Sequence, residues 1–161
     1  LMIPDQVTFL PIYVMISKAG LVNTYSSMII PSMCSAYFIF MLRQAFMSVD
    51  DSYLEAARMD GVGRTGVIFR ILVPMCRPTV ITTALITFIN GWNSYFWPLI
   101  MTSSETFRTL PVGIAALKSS ETLQMWHIIM AGNVVLVIPI LLVYMFASKK
   151  IRNSFVYSGI K

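Results

Sequence analysis

Histidine occurs once in this chain of 161 residues, cysteine twice and acidic residues seven times. No Cys–His spacing offers a metal-ligand set. Cys34 lies in an apolar run and Cys76 in a basic loop, and both are expected as free thiols. The phosphate-loop pattern G-x-x-x-x-G-K-[ST] is missing. GVGRTG at Gly61–Gly66 supplies glycines but no following Lys-Ser or Lys-Thr, so it is not read as a phosphate loop. Charge is scarce as well: 12% of residues are charged, against about 25% in a soluble domain. That scarcity excludes an ordinary soluble domain, although the length would suit one.

Apolar residues take the place of the missing charge. They make up 57% of the chain, with 12 Met, 10 Phe and 7 Tyr, and the mean hydropathy is +0.73. The net charge of +5 is no sign of nucleic-acid binding, because the basic residues are scattered among apolar runs. Membrane proteins collect Lys and Arg on the cytoplasmic side. The chain opens at Leu1, inside a hydrophobic segment, and reads as the C-terminal part of a longer protein.

A spanning helix needs about 20 mostly apolar residues. Four segments qualify wholly or in part. The first, about 1–16, carries Pro4, Asp5, Gln6 and Pro11 and reads as a truncated span. The others are 29–46, 79–102 and 126–147. The last contains 22 residues, or about 33 Å of helix. A soluble bundle helix would show a polar face at period 3.6, whereas this segment has only His127 and Asn133. His127 is read as an interfacial polar tip. The expected fold class is therefore all-α: a polytopic transmembrane helix bundle.

Basic residues orient it. The tail SKKIRNSFVYSGIK holds Lys149, Lys150, Arg152 and Lys161 and no acid, so it is expected in the cytoplasm. The segment about 48–78 is then cytoplasmic too, and Ser103–Met125 external. Trp97 and Trp126 fall near external span ends, where aromatic belts sit.

The cytoplasmic segment is the unusual feature. Glu55–Pro78 reads EAARMDGVGRTGVIFRILVPMCRP, with four arginines and three glycines between two apolar runs. Ser48 or Ser52 can cap a helix. Ser52 stands three residues before Glu55, the capping-box spacing. A helix Ser52–Asp60 is predicted, broken by Gly61 and Gly63 as C-cap glycines. A second run, Thr65–Val73, places Val67, Ile68, Ile71 and Leu72 on one face, and Pro74 and Pro78 end it. Glu55 can pair with Arg58 at i+3. On physics alone the segment is either an amphipathic connector or a helix pair that enters a groove on a soluble partner.

The spacing Glu55-Ala56-Ala57, Gly61, Ile71, Val73-Pro74 resembles the EAA loop of binding-protein-dependent ABC importer permeases, with Val73 where the pattern has Leu. EAARMDG, RILVPMCRP and GWNSYFWPL at Gly91–Leu99 are similar to the carbohydrate-uptake branch, specifically its maltose-permease-like inner-membrane subunit. The resemblance covers essentially the whole chain. It implies a permease, usually of six spans, paired with a second homologous permease. Two copies of a cytoplasmic ATPase would sit beneath it and an extracytoplasmic solute-binding protein above, in the inner membrane of a prokaryote. It implies that Glu55, Ala56, Ala57, Asp60, Gly61, Ile71 and Pro74 form a coupling helix pair that docks on the ATPase. It also implies that the external loop Ser103–Met125 meets the binding protein.

Polar residues within spans are costly and functional by default. Asn90, Trp92, Asn93, Tyr95 and Asn133 are the candidates for a solute path, since amides and rings suit sugar hydroxyls and sugar faces. The alternative is helix–helix hydrogen bonding. Gly91 and Pro98 bracket a point where the third span can bend or unwind. No cofactor, metal or nucleic acid is expected. A polyol or glycerol phosphate is the competing solute, although a phosphate calls for a basic residue that the third and fourth spans do not carry. An intramembrane enzyme would need a buried nucleophile–base pair or acidic cluster, and the spans contain neither.

Overall fold

The structure, a computed structural model, describes residues 4–119 and 126–158. Residues 1–3 of the first expected span, 120–125 of the expected external loop and 159–161, with Lys161, lie outside the described residues. So do the side chains of Asp5, Gln6, Lys118, Lys149, Lys150 and Arg152. Among the described residues every regular element is helical. In order they are α1 (Asp5–Lys18), α2 (Tyr25–Ser32), α3 (Ala36–Met47), α4 (Asp51–Met59) and α5 (Arg64–Met75). Then come α6 (Arg77–Trp92), α7 (Phe96–Met101), α8 (Leu110–Ser119) and α9 (Trp126–Ser158). Two compact units are formed, Leu1–Ser35 with Ile89–Leu142, and Ala36–Phe88 with Val143–Lys161.

Among the described residues two stretches are long and apolar enough to cross a membrane, Tyr25–Met47 and Trp126–Ser148, and only 6% of each apolar window is buried within the chain. Val134, Leu141 and Phe146 are exposed. Apolar side chains turned outward along a whole helix suit hydrocarbon or neighbouring helices, not water. Helices α5 and α6 are apolar enough only when taken together, and they are bent by 87°.

The helix limits differ from the hydropathy reading in three places. The second apolar stretch starts at Tyr25, not Ile29, because Thr24 caps it; Ser27 N donates to Thr24 Oγ1 at 3.4 Å. The third does not continue as one helix to Thr102. It ends at Trp92, and α7 begins only at Phe96. The backbone therefore breaks between Gly91 and Pro98, where a bend or unwinding is predicted. The fourth helix persists past Ala147 to Ser158, giving 33 residues and a length of about 50 Å.

The first unit is held by polar groups that repair interrupted backbone. Pro31 lies inside α2. It has no N–H to give the carbonyl four residues back, which belongs to Ser27. Ser27 is fully buried, so an unpaired carbonyl there would be costly. Trp97 fills the vacancy: its indole Nε1–H donates to Ser27 O at 2.9 Å. Trp97 is thus an inward anchor, not a member of an interfacial belt. Trp126, by contrast, is exposed.

The α1–α2 connection is fixed by two residues in the left-handed region, Gly20 (φ 67) and Asn23 (φ 62). Gly20 N donates to Ser17 O and Leu21 N to Ile16 O, closing α1 in a Schellman turn over the buried Ile16. Asn tolerates positive φ better than other side-chain-bearing residues, and here it also bonds across the unit. Asn23 N donates to Met101 O at 2.8 Å, while its Oδ1 accepts from Ser103 N and Ser104 N, both at 3.1 Å. The start of the expected external loop is therefore pinned. Further on, α8 buries Val112 and Ile114. A Cβ at Gly132 of α9 would come within 2.9 Å of Ile114 Cγ1. Glycine is needed there for close approach.

Among the described residues of the second unit, Ala57, Leu72, Cys76 and Thr83 are buried. Thr83 and Thr87 return their hydroxyl protons to Thr79 O and Thr83 O of their own helix, so neither adds a free polar group to α6.

The Pro31–Trp97 relation yields a paired test. Trp97→Phe leaves the Ser27 carbonyl unpaired and should cost about 1–3 kcal/mol, read as a lower melting temperature of the full-length protein in detergent. Pro31→Ala restores an N–H and should recover most of that loss in the Trp97→Phe background. Equal effects of Pro31→Ala in both backgrounds would show the two residues to be independent.

Candidate functional site

The α4–turn–α5 segment carries most of the residues singled out from the sequence. Helix α4 begins at Asp51, and its cap is Asp50, not Ser48 or Ser52. Asp50 Oδ1 accepts from Ser52 N at 2.8 Å. Ser48 instead donates to Ala45 O at 2.7 Å. Ser52 thus lies in the first helical turn, and the capping-box reading of Ser52 with Glu55 does not hold. The Ser52 hydroxyl and then its backbone N–H, both bonded to Asp50, hold that carboxyl below its ordinary range.

Helix α4 presents two different faces. Ala57 is 4% exposed and points inward, whereas Met59 is 90% exposed. Glu55 and Ala56 are exposed beside it. Ser52, Glu55, Ala56 and Met59 follow the i, i+3, i+4, i+7 pattern and form one outward stripe. No ion pair joins Glu55 to Arg58; among the described residues the one ion pair is Arg108 with Glu105 at 2.6 Å. The two alanines therefore do different work. Ala57 lets the turn close over it, and Ala56 keeps the outer stripe low.

The turn after α4 is fully bonded. Asp60 is the C-cap, and Gly61 follows with φ +73. Gly61 N donates to Arg58 O and Val62 N to Ala57 O, both at 3.0 Å. This is the Schellman arrangement. Gly63 has φ −66 and serves as the N-cap of α5, so it is not a second C-cap glycine. A Cβ at Gly66 would come 2.7 Å from Val62 Cγ1, so a small residue there lets α5 pack on the turn.

Helix α5 is α-helical only at its ends; Val67–Leu72 is π-helix. Pro74 gives the reason. Its ring would meet the Arg70 carbonyl in a regular α-helix, and the i→i+5 pattern opens the ladder there. Val73 N accordingly donates to Ile68 O. Pro74 therefore shapes α5 without ending it, and Pro78 sits in the first turn of α6. Leu72 is buried and Ile71 half-buried, while Ile68 and Phe69 are exposed. At the bend, Cys76 is buried and its thiol donates to Ala45 O at 3.3 Å. Glu55, Ala56, Ala57, Asp60, Gly61, Ile71 and Pro74 thus lie within one helix–turn–helix.

The solute-path candidates do not gather in one place. Trp92 Nε1 donates to Leu136 O at 3.0 Å, in the turn of α9 before Pro139. Asn133 Nδ2 donates to Ile129 O of its own helix at 3.0 Å. Asn90, Asn93 and Tyr95 are exposed around the end of α6. A cavity of about 540 Å³ opens beside them, but its wall takes Gly91 and Ser94, not these five residues. Asn23, Asp50 and the Trp97–Ser27 bond are absent from the sequence reading. The proline inside the second span was the available signal for the last.

Two outcomes follow for the turn. Gly61→Ala forces a Cβ into positive φ and should cost about 1 kcal/mol, whereas Gly63→Ala should stay within about 0.5 kcal/mol. Hydrogen exchange of the segment 55–66 in the full-length protein should separate them, and equal protection in both variants would refute the assignment. Asp50 has a lowered carboxyl pKa, so its cap is fully present above the ordinary carboxylate range and is lost as pH falls through the lowered value. Exchange in the first turn of α4 should therefore rise in acid. Asp50→Asn keeps the cap and should remove that pH dependence.

The match to known proteins runs along the same elements. Residues 1–155 match the family described as "Binding-protein-dependent transport system inner membrane component". The chain is 31% identical over its full length to the arabinooligosaccharides transport system permease protein AraQ of Halalkalibacterium halodurans, covering 57% of that protein. It is 35% identical over 86% of its length to the sn-glycerol-3-phosphate transport system permease protein UgpE of Yersinia enterocolitica, covering 50% of it. It is 32% identical over 89% of its length to the lactose transport system permease protein LacG of Rhizobium radiobacter, covering 52% of it. The chain thus spans about half the length of the curated relatives it matches. A chain of a crystal structure described as a bacterial ABC transporter involved in the import of the acidic polysaccharide alginate superposes with a TM-score of 0.76 at 25% identity. That superposition covers 87% of this chain and 55% of the other. With a helix–turn–helix of the EAA pattern between apolar helices and a family match over nearly all its length, the chain belongs to the inner-membrane components of binding-protein-dependent transport systems.

Proposed function

We propose that this chain is part of the permease subunit of an ATP-binding-cassette importer that moves a sugar or related solute into the cytoplasm. The observation that carries this reading is the outward stripe of α4. A rigid turn presents Glu55, Ala56 and an almost fully exposed Met59, and among the described residues no other element covers them. A partner with a groove for a short helix suits that surface. In this reading two copies of a cytoplasmic ATPase take the stripe. Glu55 offers its charge to a basic residue, Ala56 admits close approach, and Ala57, Asp60 and Gly61 set the angle of the turn. Ile71 and Pro74 carry the displacement through α5 to the bend at Cys76. A second homologous permease completes the pathway, and an extracytoplasmic binding protein delivers the solute near α8. The C-terminus lies in the cytoplasm of a prokaryote, as the basic tail requires. The chain itself performs no chemistry.

The solute class rests on the relatives. Three of the four proteins compared are named for carbohydrates, and one is named for sn-glycerol 3-phosphate. Asn90, Asn93 and Tyr95 keep exposed polar groups at the helix break, so they are the members of the expected path still free to face solute. Trp92 and Asn133 act as internal fasteners.

The test uses the full-length protein purified with its permease and ATPase partners. Ala56→Trp should lose ATPase co-purification and uptake into proteoliposomes, because the added ring stands the docking stripe off its groove. Glu55→Gln should keep assembly and lower transport-coupled ATP hydrolysis about tenfold. Full assembly and uptake by Ala56→Trp would contradict the docking role.

A further inference from the structure

Helix α5 keeps an apolar side that the described residues leave open. Its inner side is spent on protein contacts, with Leu72 and Cys76 buried. On its outer side Ile68, Phe69 and Met75 are exposed, Phe69 by 71%. Arginines bracket them. Arg64 opens the helix, Arg70 follows Phe69, and Arg77 stands two residues beyond Met75, all three exposed. No acidic residue occurs between Asp60 and Glu105. Asp60 shares an open recess with Phe69 and Arg70, yet among the described residues none of these arginines forms an ion pair. The bend at the end of α5 sets the depth of this surface. There the Cys76 thiol donates to Ala45 O at 3.3 Å, two residues from the end of the apolar stretch Tyr25–Met47. From that level α5 leaves α6 at 87°. It adds to the hydropathy of α6 but cannot lengthen it across a bilayer. A helix so placed runs along the membrane face.

We infer that the outer side of α5 is a lipid-contact surface in the cytoplasmic interface of the bilayer. Ile68, Phe69 and Met75 lie among the upper acyl chains, and Arg70 and Arg77 hold the phosphates of anionic phospholipids. The inference rests on the cytoplasmic placement of this segment in the reading above and gives the segment a second surface: α4 meets the ATPase, and α5 meets lipid. An apolar side edged by basic residues is the composition of an interfacial helix. Guanidinium forks match pairs of phosphate oxygens, and the long arginine stems let the charge reach the headgroups while the rings stay deeper. Three cations without a neighbouring ion-pair partner call for net negative charge, which anionic headgroups supply and zwitterionic ones do not. A protein cover would have to bring an acid to each arginine and an apolar pocket between them. The edge of an anionic bilayer brings both. The membrane thereby braces α5 while α4 is moved.

The experiment takes the full-length protein with its permease and ATPase partners, in nanodiscs of equal parts phosphatidylglycerol and phosphatidylcholine. A benzoylphenylalanine placed at Phe69 is photo-activated, and its adducts are identified by mass spectrometry. Lipid adducts should dominate, with phosphatidylglycerol favoured over phosphatidylcholine about fivefold or more. In the double variant Arg70→Gln, Arg77→Gln the lipid adduct should persist while the preference falls to within about twofold of unity. The double variant Arg70→Lys, Arg77→Lys keeps the charges and should keep most of the preference. All these positions are exposed, and retained ATPase co-purification in each variant guards against misfolding. An adduct with any protein subunit in place of lipid assigns the surface to a protein interface and overturns the inference. So does the absence of any adduct, which leaves the surface to water. Lipid adducts without a preference, or with one unchanged in the Gln pair, overturn the anionic assignment. ATPase co-purification with the wild type tests the docking reading separately: its loss, beside a phosphatidylglycerol-enriched adduct, refutes that reading and leaves this surface standing.

Discussion

A proline inside an apolar helix leaves one carbonyl without its partner, and in hydrocarbon no water can replace it. The first unit is organised around that constraint. Pro31 deprives Ser27, and Trp97 supplies the missing donor from 70 residues away in sequence. The bond fixes where α7 sits, and with it the packing of Phe9 on Phe96 and Trp97. On α9 the Trp92 indole bonds Leu136 O, the carbonyl next to Val135 O, which is the one that Pro139 leaves without its helical partner. Asn23 serves irregular backbone, taking the two amides that follow α7. The helix breaks are therefore bonded joints, not loose points, and the cavity beside them inherits a defined shape.

Backbone satisfaction also shapes the segment proposed to meet the ATPase. Its two helices are short, and short helices are marginal by themselves. Asp50 at one end and the Schellman turn at Gly61 tie up the free N–H and C=O groups that would otherwise fray α4. The π-helical turn of α5 accommodates Pro74, and the Cys76 thiol joins the bend to the end of α3 through Ala45 O. A displacement applied to Met59 is thus passed through bonded joints to α6 instead of being absorbed in a flexible linker. That is what the proposed coupling role requires, and it gives Gly61, Gly63 and Gly66 their places around the turn.

Two of the apolar stretches and the glycine turn were legible in the sequence because each depends on local properties. Hydropathy over about 20 residues finds a span, and Gly61 after a run of helix formers marks a stop. The cap was misread because Ser52 and Asp50 are both good N-cap residues, and the Glu55 spacing favoured the wrong one. The π-helix was hidden because apolar periodicity does not register how Pro74 alters the ladder. The asparagines were beyond sequence reading for a different reason. An amide in a span costs the same whether it faces solute or, like Asn133, bonds its own helix at Ile129 O. Only coordinates separate those outcomes. The Trp97–Ser27 bond is tertiary, and nothing within either local segment names its partner.

The most direct measurement is photo-crosslinking from a benzoylphenylalanine placed at Met59 in the full-length, transport-active complex. Met59 is 90% exposed on the stripe proposed for docking, so its adduct reports what covers that stripe. The account predicts a crosslink to the ATPase subunit. Adducts confined to lipid or to the extracytoplasmic binding protein, in a complex that still transports, would contradict it.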